Sequence, residues 1–227
     1  MSGPGEGKVL PELGLAFKGV ADLIKQNAEV PTAAFAAACD KINPIFGHLG
    51  MAFKFARDDF VTKVEDLKEC AKDLPTLEDI LDADIKAGTV REPGSHTRNL
   101  LRVTRGINMI RLLFEHLLSS DGVSLKEAAS KASFERDFSS PQNYGVSLKE
   151  AASKAYEQAL APHHSWAIRQ AVRASLYTLP SREKFLARVG EDEFSWRPYA
   201  QEFVNDSDPV IKYVISLYVD KGIGTDW

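Results

Sequence analysis

The sequence predicts an all-α protein, a two-layer sandwich of about eight helices. Apolar residues recur every three or four positions along most of the 227 residues, which is the spacing that gives a helix one buried face. Alternation of apolar and polar residues, which would indicate strands, is not found. Prolines and glycines divide the periodic segments into lengths typical of helices and their connections.

Composition and charge exclude several classes of protein. Hydrophobic residues make up 44% of the chain and the net charge is -4, so a core can form and a surface devoted to nucleic acid is not expected. No run approaches the roughly 20 apolar residues of a membrane span, and the first residues lack the apolar core of a secretion signal. Cys39 and Cys70 imply no disulfide framework and are typical of buried thiols in a reducing compartment. We therefore expect a cytoplasmic protein.

The N-terminal part of the chain is predicted to contain a tail and three helices. Residues 1–9 are glycine-rich and are expected to be flexible, whereas residues 10–227 are expected to form a single domain. The apolar stripes predict helices that end near Gln26, that run from Pro31 to Pro44, and that run from Phe46 to Ala71.

Two capping signals mark the next helices. Thr76, followed by Asp79, is typical of a capping box and predicts a short helix that ends near Gly88. Ser95 can then cap a long helix that extends to Leu118 without an interrupting proline. Its buried stripe consists of Leu100, Val103, Ile107, Ile110, Phe114 and Leu117. We expect the rest of the chain to be organised around this helix.

One segment, GVSLKEAASKA, occurs twice, at 122–132 and at 145–155. Each copy contains a capping box, at Ser124 and at Ser147, so each can begin a helix. Two copies are too few for a solenoid. We interpret the duplication within 122–155 as an insertion tolerated in a surface connection, without a function of its own.

Prolines and a glycine divide the C-terminal part. Pro162 is expected to begin a helix that Pro180 ends, and a short helix is expected to end at Gly190. Pro209 is expected to introduce the last amphipathic helix. These elements complete the predicted helical sandwich.

The second face of the long helix changes character along its length. At 100° per residue this face carries, in order, Arg98, Arg102, Arg105, Met109, Leu112 and Leu113. A solvent-facing side would stay polar to its end, so this one suits a ligand with an anionic head and an apolar tail. The predicted third helix has a similar gradient, through Ala52, Phe55, Ala56, Asp59 and Lys63.

These charged residues also have an ordinary explanation. Asp59 and Lys63, four residues apart, usually form a solvated ion pair worth little. Arg98 and Arg102 repel each other at the same spacing unless acidic partners offset the repulsion. A phosphate between them removes the repulsion and accepts bidentate hydrogen bonds. The residues by themselves leave both readings open.

Two histidines and a tryptophan open the helix predicted after Pro162. In its first turn the helix dipole would disfavour a charged imidazole, so His163 and His164 would be neutral and able to donate and accept. A packed or solvated histidine is the alternative, and Trp166 belongs either to the core or to a membrane interface. The sequence contains no nucleophile elbow, Walker loop, zinc-ligand set or dinucleotide fingerprint, so we predict no catalytic residue, metal or cofactor.

Three segments, taken together, resemble the signature regions of the glycolipid transfer protein superfamily. They are FARDDFVTKV at 55–64, GSHTRNLLRVTRGI at 94–107 and APHHSWAIRQAV at 161–172. In that family an all-α, two-layer fold encloses a slot for lipid chains and holds the polar head at its surface. The likeness is greatest to members that carry ceramide-1-phosphate, and it covers nearly the whole chain if one copy of the duplication is set aside.

The resemblance implies a role for each candidate residue. Asp59 would accept hydrogen bonds from the sphingoid amide and hydroxyl, and His164 would donate one to the acyl carbonyl. Lys63, Arg98 and Arg102 would hold the phosphate. Members that carry glycolipids have an asparagine in place of Lys63 and a sugar-stacking tryptophan in place of Arg102, so both residues favour phosphate over sugar.

By the same resemblance, Trp166 would dock on membranes, and the protein would be cytoplasmic and peripheral on membranes. The prediction is an intermembrane carrier of ceramide-1-phosphate or a related phosphosphingolipid, with transient membrane contact, no nucleic acid and no reaction. Two alternatives stay open. One is a lipid-sensing adaptor, and the other is a phosphatase or phospholipase that uses Asp59, His164 and the arginines on the same lipid.

Overall fold

The computed structural model describes residues 8–50, 53–131 and 146–227, of which 120–131 are described by backbone alone. Its α-helices are α1 (Val9–Lys25), α2 (Thr32–Asp40), α3 (Asn43–Leu49), α4 (Lys54–Cys70), α5 (Leu77–Ala87), α6 (His96–Lys131), α7 (Leu148–Ala159), α8 (Trp166–Ser175), α9 (Arg182–Arg188) and α10 (Trp196–Asp220). Short 3-10 turns, Ala161–His163 and Leu176–Thr178, flank α8. Within the described ranges an isolated bridge between Pro31 and Thr76 is the only β-type pairing.

Helix α6 lies at the centre of the packing, as predicted. It contacts α4, α5, α7 and α10, while α1 packs on α10 and α2, and α2 packs on α4. The whole predicted stripe from Leu100 to Leu117 is buried. Phe114 in this stripe lies 5.9 Å from the ring of Phe203 and 6.4 Å from that of Trp196. The all-α, two-layer class is confirmed.

The predicted caps are present at the helices that flank the 88–95 connection. The backbone N–H of Asp79 donates to the Thr76 hydroxyl at 3.2 Å, and the Thr76 N–H donates to the Asp79 carboxylate at 3.0 Å. Gly88 ends α5 with φ +72°, a conformation that glycine adopts without strain. The Ser95 hydroxyl accepts from the N–H of Arg98 at 3.1 Å, so α6 begins where the sequence indicates.

The break predicted near Pro44 is present between α2 and α3, but Pro44 itself lies in the first turn of α3, where its missing N–H has no partner to lose. Two other proline predictions were wrong, because position within a helix decides what proline does. Pro162 lies in a 3-10 turn, and Ser165 caps the helix that follows. Pro209 lies inside α10, which stays helical through it because residues on both sides are buried against α1 and α6.

The third helix, predicted from Phe46 to Ala71, is divided into α3 and α4 after Gly50, whose φ is +105°.

The two copies of the duplicated segment have different structures. The first continues α6 to Lys131, so the predicted new helix at Ser124 is not formed. The second begins α7, where the Ser147 hydroxyl accepts from the N–H of Glu150 at 3.1 Å. The Glu150 carboxylate pairs with Lys154 instead of completing a capping box. Since the buried face of α7 packs on α6, the second copy contributes to the core.

Two predictions concern residues outside the described ranges or at their edge. The predicted tail, 1–9, falls mostly outside them, but Val9 already begins α1 and Leu10 is buried. The part of the insertion from 132 to 145 also lies outside the described residues.

Candidate functional site

A cavity of about 240 Å³ opens between α4, α6 and the segment that joins α7 to α8. Four residues of one α6 face line it: Arg98, Arg102, Arg105 and Met109. At 1.5 Å per residue they span about 16 Å, from the cationic start of the helix to its apolar middle. The gradient predicted from the sequence therefore faces a cavity. Leu112 and Leu113, which continue that face, are buried in the core.

Helix α4 supplies a buried lysine and its exposed partner. Lys63 Nζ donates to the Asp59 carboxylate and, at 3.2 Å, to the Asp59 carbonyl oxygen. The Lys63 side chain is only 9% exposed, whereas that of Asp59 is 63% exposed. An ammonium group has three donors, so one remains for a ligand in the cavity. This is not the solvated surface pair that spacing alone favours.

The two arginines nearest the start of α6 differ from that pair. Among the described residues, no ion pair or side-chain hydrogen bond joins Arg98 or Arg102 to a carboxylate. In that part of the chain, therefore, no direct ion pair with a carboxylate offsets the repulsion between the two guanidinium groups. If Arg98 and Arg102 had only a structural role, acidic partners would have to offset their repulsion. The lack of such an ion pair in the described part of the chain favours an anionic ligand between them.

A third arginine, Arg105, is affected by the charge of Arg102 and, unlike Arg98 and Arg102 within the described ranges, donates side-chain hydrogen bonds to the backbone. Burial, and then the charge of Arg102, lower the pKa of Arg105. Its guanidinium donates to the backbone carbonyls of Thr225 at 2.6 Å and Trp227 at 2.8 Å. Trp227 also lines the cavity, and the guanidinium of Arg91 lies 5.5 Å from its ring centroid. The sequence did not indicate that the residues after α10 form a wall of the site.

A close helix contact brings the α4 and α6 side chains together. A Cβ atom placed on Gly106 would lie 2.8 Å from Cδ2 of Phe60, which is inside normal contact distance. The ring of Phe60 also contacts that of Phe46, with ring centroids 5.3 Å apart. All three residues line the cavity. Glycine at 106 thus allows the approach of α4 to α6 that places Lys63 opposite the arginines.

His164 lines the cavity, but the local structure differs from the prediction. It follows the 3-10 turn Ala161–His163 in an extended conformation, φ -107° and ψ 140°, before Ser165 caps α8. His164 therefore precedes the first turn of α8, where the prediction had placed it. Burial and the charge of Arg102 lower the pKa of His164, and Asp59 acts in the opposite direction. Burial and Arg102 thus favour the neutral imidazole.

A buried tyrosine contacts this histidine. The Tyr156 hydroxyl, on α7, lies 3.0 Å from Nδ1 of His164. Tyr156 is 1% exposed, and burial raises the pKa of its phenol. Tyr156 could not be predicted from the sequence as a site residue, because nothing in the spacing of Tyr156 and His164 indicates that their side chains meet.

Trp166 lies outside the cavity lining, at the first position of α8. It is 70% exposed, so the alternative that it belongs to the core is wrong. Ile168, two residues further along, is also exposed, and α8 buries none of its residues. Phe55, exposed on the first turn of α4, precedes the cavity residue Ala56. Exposed apolar side chains therefore occur on two elements that border the site.

The structure brings five of the six predicted site residues to one cavity. They are Asp59, Lys63, Arg98, Arg102 and His164. Within the described ranges no cluster of histidine, cysteine and acidic side chains has a metal-binding arrangement. The helices described are each too short or too polar to cross a bilayer.

The fold and this cavity define the class of protein. Residues 30–191 match the family model for glycolipid transfer protein, and the chain belongs to that family. Over 222 residues it is 42% identical to Accelerated cell death 11 of Arabidopsis thaliana, with 97% of each chain covered. It is also 37% identical, over 219 residues, to the homologue of that protein in the same plant, covering 93% of this chain and 86% of the homologue.

A solved structure supports the same relationship. The crystal structure of a mutant of the Arabidopsis protein complexed with C12 ceramide-1-phosphate matches with a TM-score of 0.86 at 40% identity. The match covers 98% of this chain and 100% of that one. The family resemblance inferred from the three sequence segments is confirmed.

Proposed function

We propose that this protein binds ceramide-1-phosphate and carries it between membranes. The observation that supports this function best is the cavity in which Lys63, Arg98 and Arg102 meet an apolar lining. A mutant of the Arabidopsis relative was crystallised with C12 ceramide-1-phosphate. A phosphate head and a hydrocarbon tail match the two ends of this lining.

In the proposed complex the three cations bind the phosphate. Arg98 and Arg102, one helical turn apart, each present a fork of donors, and Lys63 adds one from α4. Charge-assisted hydrogen bonds contribute about 1.5–3 kcal/mol each. An uncharged head would leave these cations desolvated and unpaired, so the site selects an anion. Asp59 would accept from the sphingoid amide and hydroxyl, and His164 would donate to the acyl carbonyl.

The apolar part of the lining serves the lipid chains. Moving about 30 chain carbons into water costs on the order of 20 kcal/mol at ~0.8 kcal/mol per methylene, so exchange without a carrier is very slow. The cavity of about 240 Å³ would receive the head and the first part of the chains. The rest of the chains would extend past Met109 and Phe60, between the helices that carry these residues.

In this proposal the protein is a carrier and not an enzyme. It is cytoplasmic and binds membrane surfaces peripherally. Asp59 accepts from Lys63 and His164 contacts Tyr156, so neither is arranged as a base beside a serine or cysteine nucleophile. Trp166, exposed close to His164, would enter the membrane interface during loading. The contact would be transient because, among the described residues, only a few large apolar side chains beside the site are exposed: Phe55, Trp166 and Ile168.

Vesicle transfer assays test this function. Ceramide-1-phosphate moves from donor to acceptor vesicles, and we compare the wild type with Arg98→Glu and with Lys184→Glu, a charge reversal at an exposed site in the first turn of α9. We expect the transfer rate of Arg98→Glu to fall at least tenfold, and that of Lys184→Glu to equal the wild-type rate. Equal rates for all three proteins would contradict the proposal.

Mass analysis of the recovered lipid separates the alternatives. A carrier returns ceramide-1-phosphate unchanged, whereas a phosphatase or phospholipase returns a product. Tight binding in native mass spectrometry, with no transfer between vesicles, would favour the lipid-sensing adaptor instead. Retention of sphingolipids without phosphate in place of the phosphorylated one would contradict the phosphate site.

A further inference from the structure

The contact between Tyr156 and His164 couples the core to the cavity. The hydroxyl oxygen lies 3.0 Å from Nδ1, and the two ring centroids are 5.7 Å apart. Tyr156 is on the buried face of α7, which packs against α6, so its ring is held by the core. The other imidazole nitrogen, Nε2, is the one left for a ligand.

We infer that Tyr156 is a positioning residue: its hydroxyl donates to Nδ1 of His164 and thereby keeps the imidazole proton on Nε2, the nitrogen available to a ligand carbonyl. The part of this inference that concerns the lipid rests on the proposed function. The part that concerns the tautomer does not, because it is a property of the protein without lipid.

The direction of the hydrogen bond follows from the partners that the hydroxyl has. Among the described residues, Nδ1 is the only acceptor within hydrogen-bond distance of the Tyr156 oxygen. If Nδ1 carried the proton, it would donate to that oxygen, and the buried hydroxyl proton would have no acceptor. Leaving a buried donor unpaired is unfavourable. Donation by tyrosine leaves no such group.

The opposite tautomer would also oppose binding. A neutral imidazole has one N–H and one lone pair, and the partner of one nitrogen decides what the other presents. With the proton on Nδ1, the lone pair of Nε2 would face the lone pairs of a ligand carbonyl. Tyr156 therefore converts His164 from a group that can either donate or accept into a fixed donor.

The first experiment reads the tautomer in the lipid-free protein. Long-range proton–nitrogen NMR spectra distinguish a protonated from an unprotonated ring nitrogen. We expect His164 of the wild type to carry its proton on Nε2, and Tyr156→Phe to populate both tautomers. A wild-type spectrum with the proton on Nδ1 would overturn the inference, whatever the variant shows.

The second experiment measures binding of ceramide-1-phosphate presented in phosphatidylcholine vesicles. We expect Tyr156→Phe to weaken binding roughly fivefold. Tyr213→Phe, which removes a comparable half-buried hydrogen bond to Glu78 away from the cavity, should bind like the wild type. Tyr156→Phe should have no further effect in a His164→Ala background. A full additional loss in that background would mean that Tyr156 does not act through His164.

The two experiments distinguish this inference from the proposed function. If the wild type binds no phosphorylated ceramide, the proposed function fails, while the NMR result still decides the tautomer. If the wild type binds the lipid and Tyr156→Phe binds it equally well, the positioning role fails and the carrier function stands.

Discussion

The contact between α4 and α6 should make one added methyl group costly at Gly106. In Gly106→Ala the new Cβ would lie 2.8 Å from Cδ2 and 2.9 Å from Cε2 of Phe60. Ordinary contact requires a shift of more than half an ångström, and such a shift of Phe60 would disturb its contact with the ring of Phe46. Overpacking of this kind costs about 1–3 kcal/mol.

Helix propensity acts in the opposite direction. Replacing glycine by alanine inside a helix stabilises it by about 0.5–1 kcal/mol. Gly19 is the matched control: it lies on the exposed side of α1, and a Cβ added there would have no atom within 4 Å. Only helix propensity should change in Gly19→Ala. We therefore expect Gly19→Ala to be more stable than the wild type and Gly106→Ala to be less stable. The two variants should differ by about 2 kcal/mol.

Thermal and urea unfolding of both variants measure this difference. For a chain of this size, about 2 kcal/mol corresponds to a separation of roughly 4–8 °C in Tm. Because Phe46 and Phe60 line the cavity, Gly106→Ala should also bind ceramide-1-phosphate more weakly than Gly19→Ala does. If Gly106→Ala instead gains as much stability as Gly19→Ala, then α4 and α6 are not in close contact at this position.

Three further predictions concern the rim of the site. The Asp66 carboxylate lies 2.9 Å from Nδ1 of His96 and accepts from the Asn99 side chain at 2.8 Å, and these two residues are on either side of Arg98 in the sequence. Asp66→Asn should therefore lower the unfolding free energy by about 1–2 kcal/mol, measured by urea titration, and weaken phosphate binding, measured by calorimetry. The pKa of His164 is lowered from 6.5 in the folded protein, so below about pH 6.5 the unfolded chain binds a proton at this imidazole more readily than the folded one. The urea midpoint should therefore fall as the pH decreases below about 6.5, and it should fall less steeply in His164→Asn. Trp166→Ala should reduce vesicle binding several-fold in a sedimentation assay.

Each of these predictions has a control and a contrary result. Asp58→Asn, at an exposed carboxylate paired with Lys54, should not affect phosphate binding, and an equal effect of both substitutions would remove the role given to Asp66. A pH dependence identical in His164→Asn and the wild type would mean that this imidazole is not the group involved. Phe194→Ala, at an exposed aromatic residue between α9 and α10, should leave vesicle binding unchanged. If it reduces binding as much as Trp166→Ala, the attachment is not specific to α8.

Local patterns predicted the elements well where the cause was local. The capping box at Thr76 and the single side-chain cap at Ser95 involve residues three apart, so they are visible in the sequence and present in the structure. Pro209 shows the limit of that reasoning. Its local preference is to begin a helix, but burial of the faces on both sides of it keeps α10 continuous.

Helical periodicity places residues three and four apart on one side of a helix whatever surrounds them. The all-α class and the cationic-to-apolar face of α6 could therefore be predicted from the sequence, but the residues that this face contacts could not. Packing of the chain buries Lys63 opposite the arginines, brings Tyr156 to His164, and lets the residues after α10 bind Arg105. These contacts join parts of the chain that only packing brings together, and no local spacing encodes them.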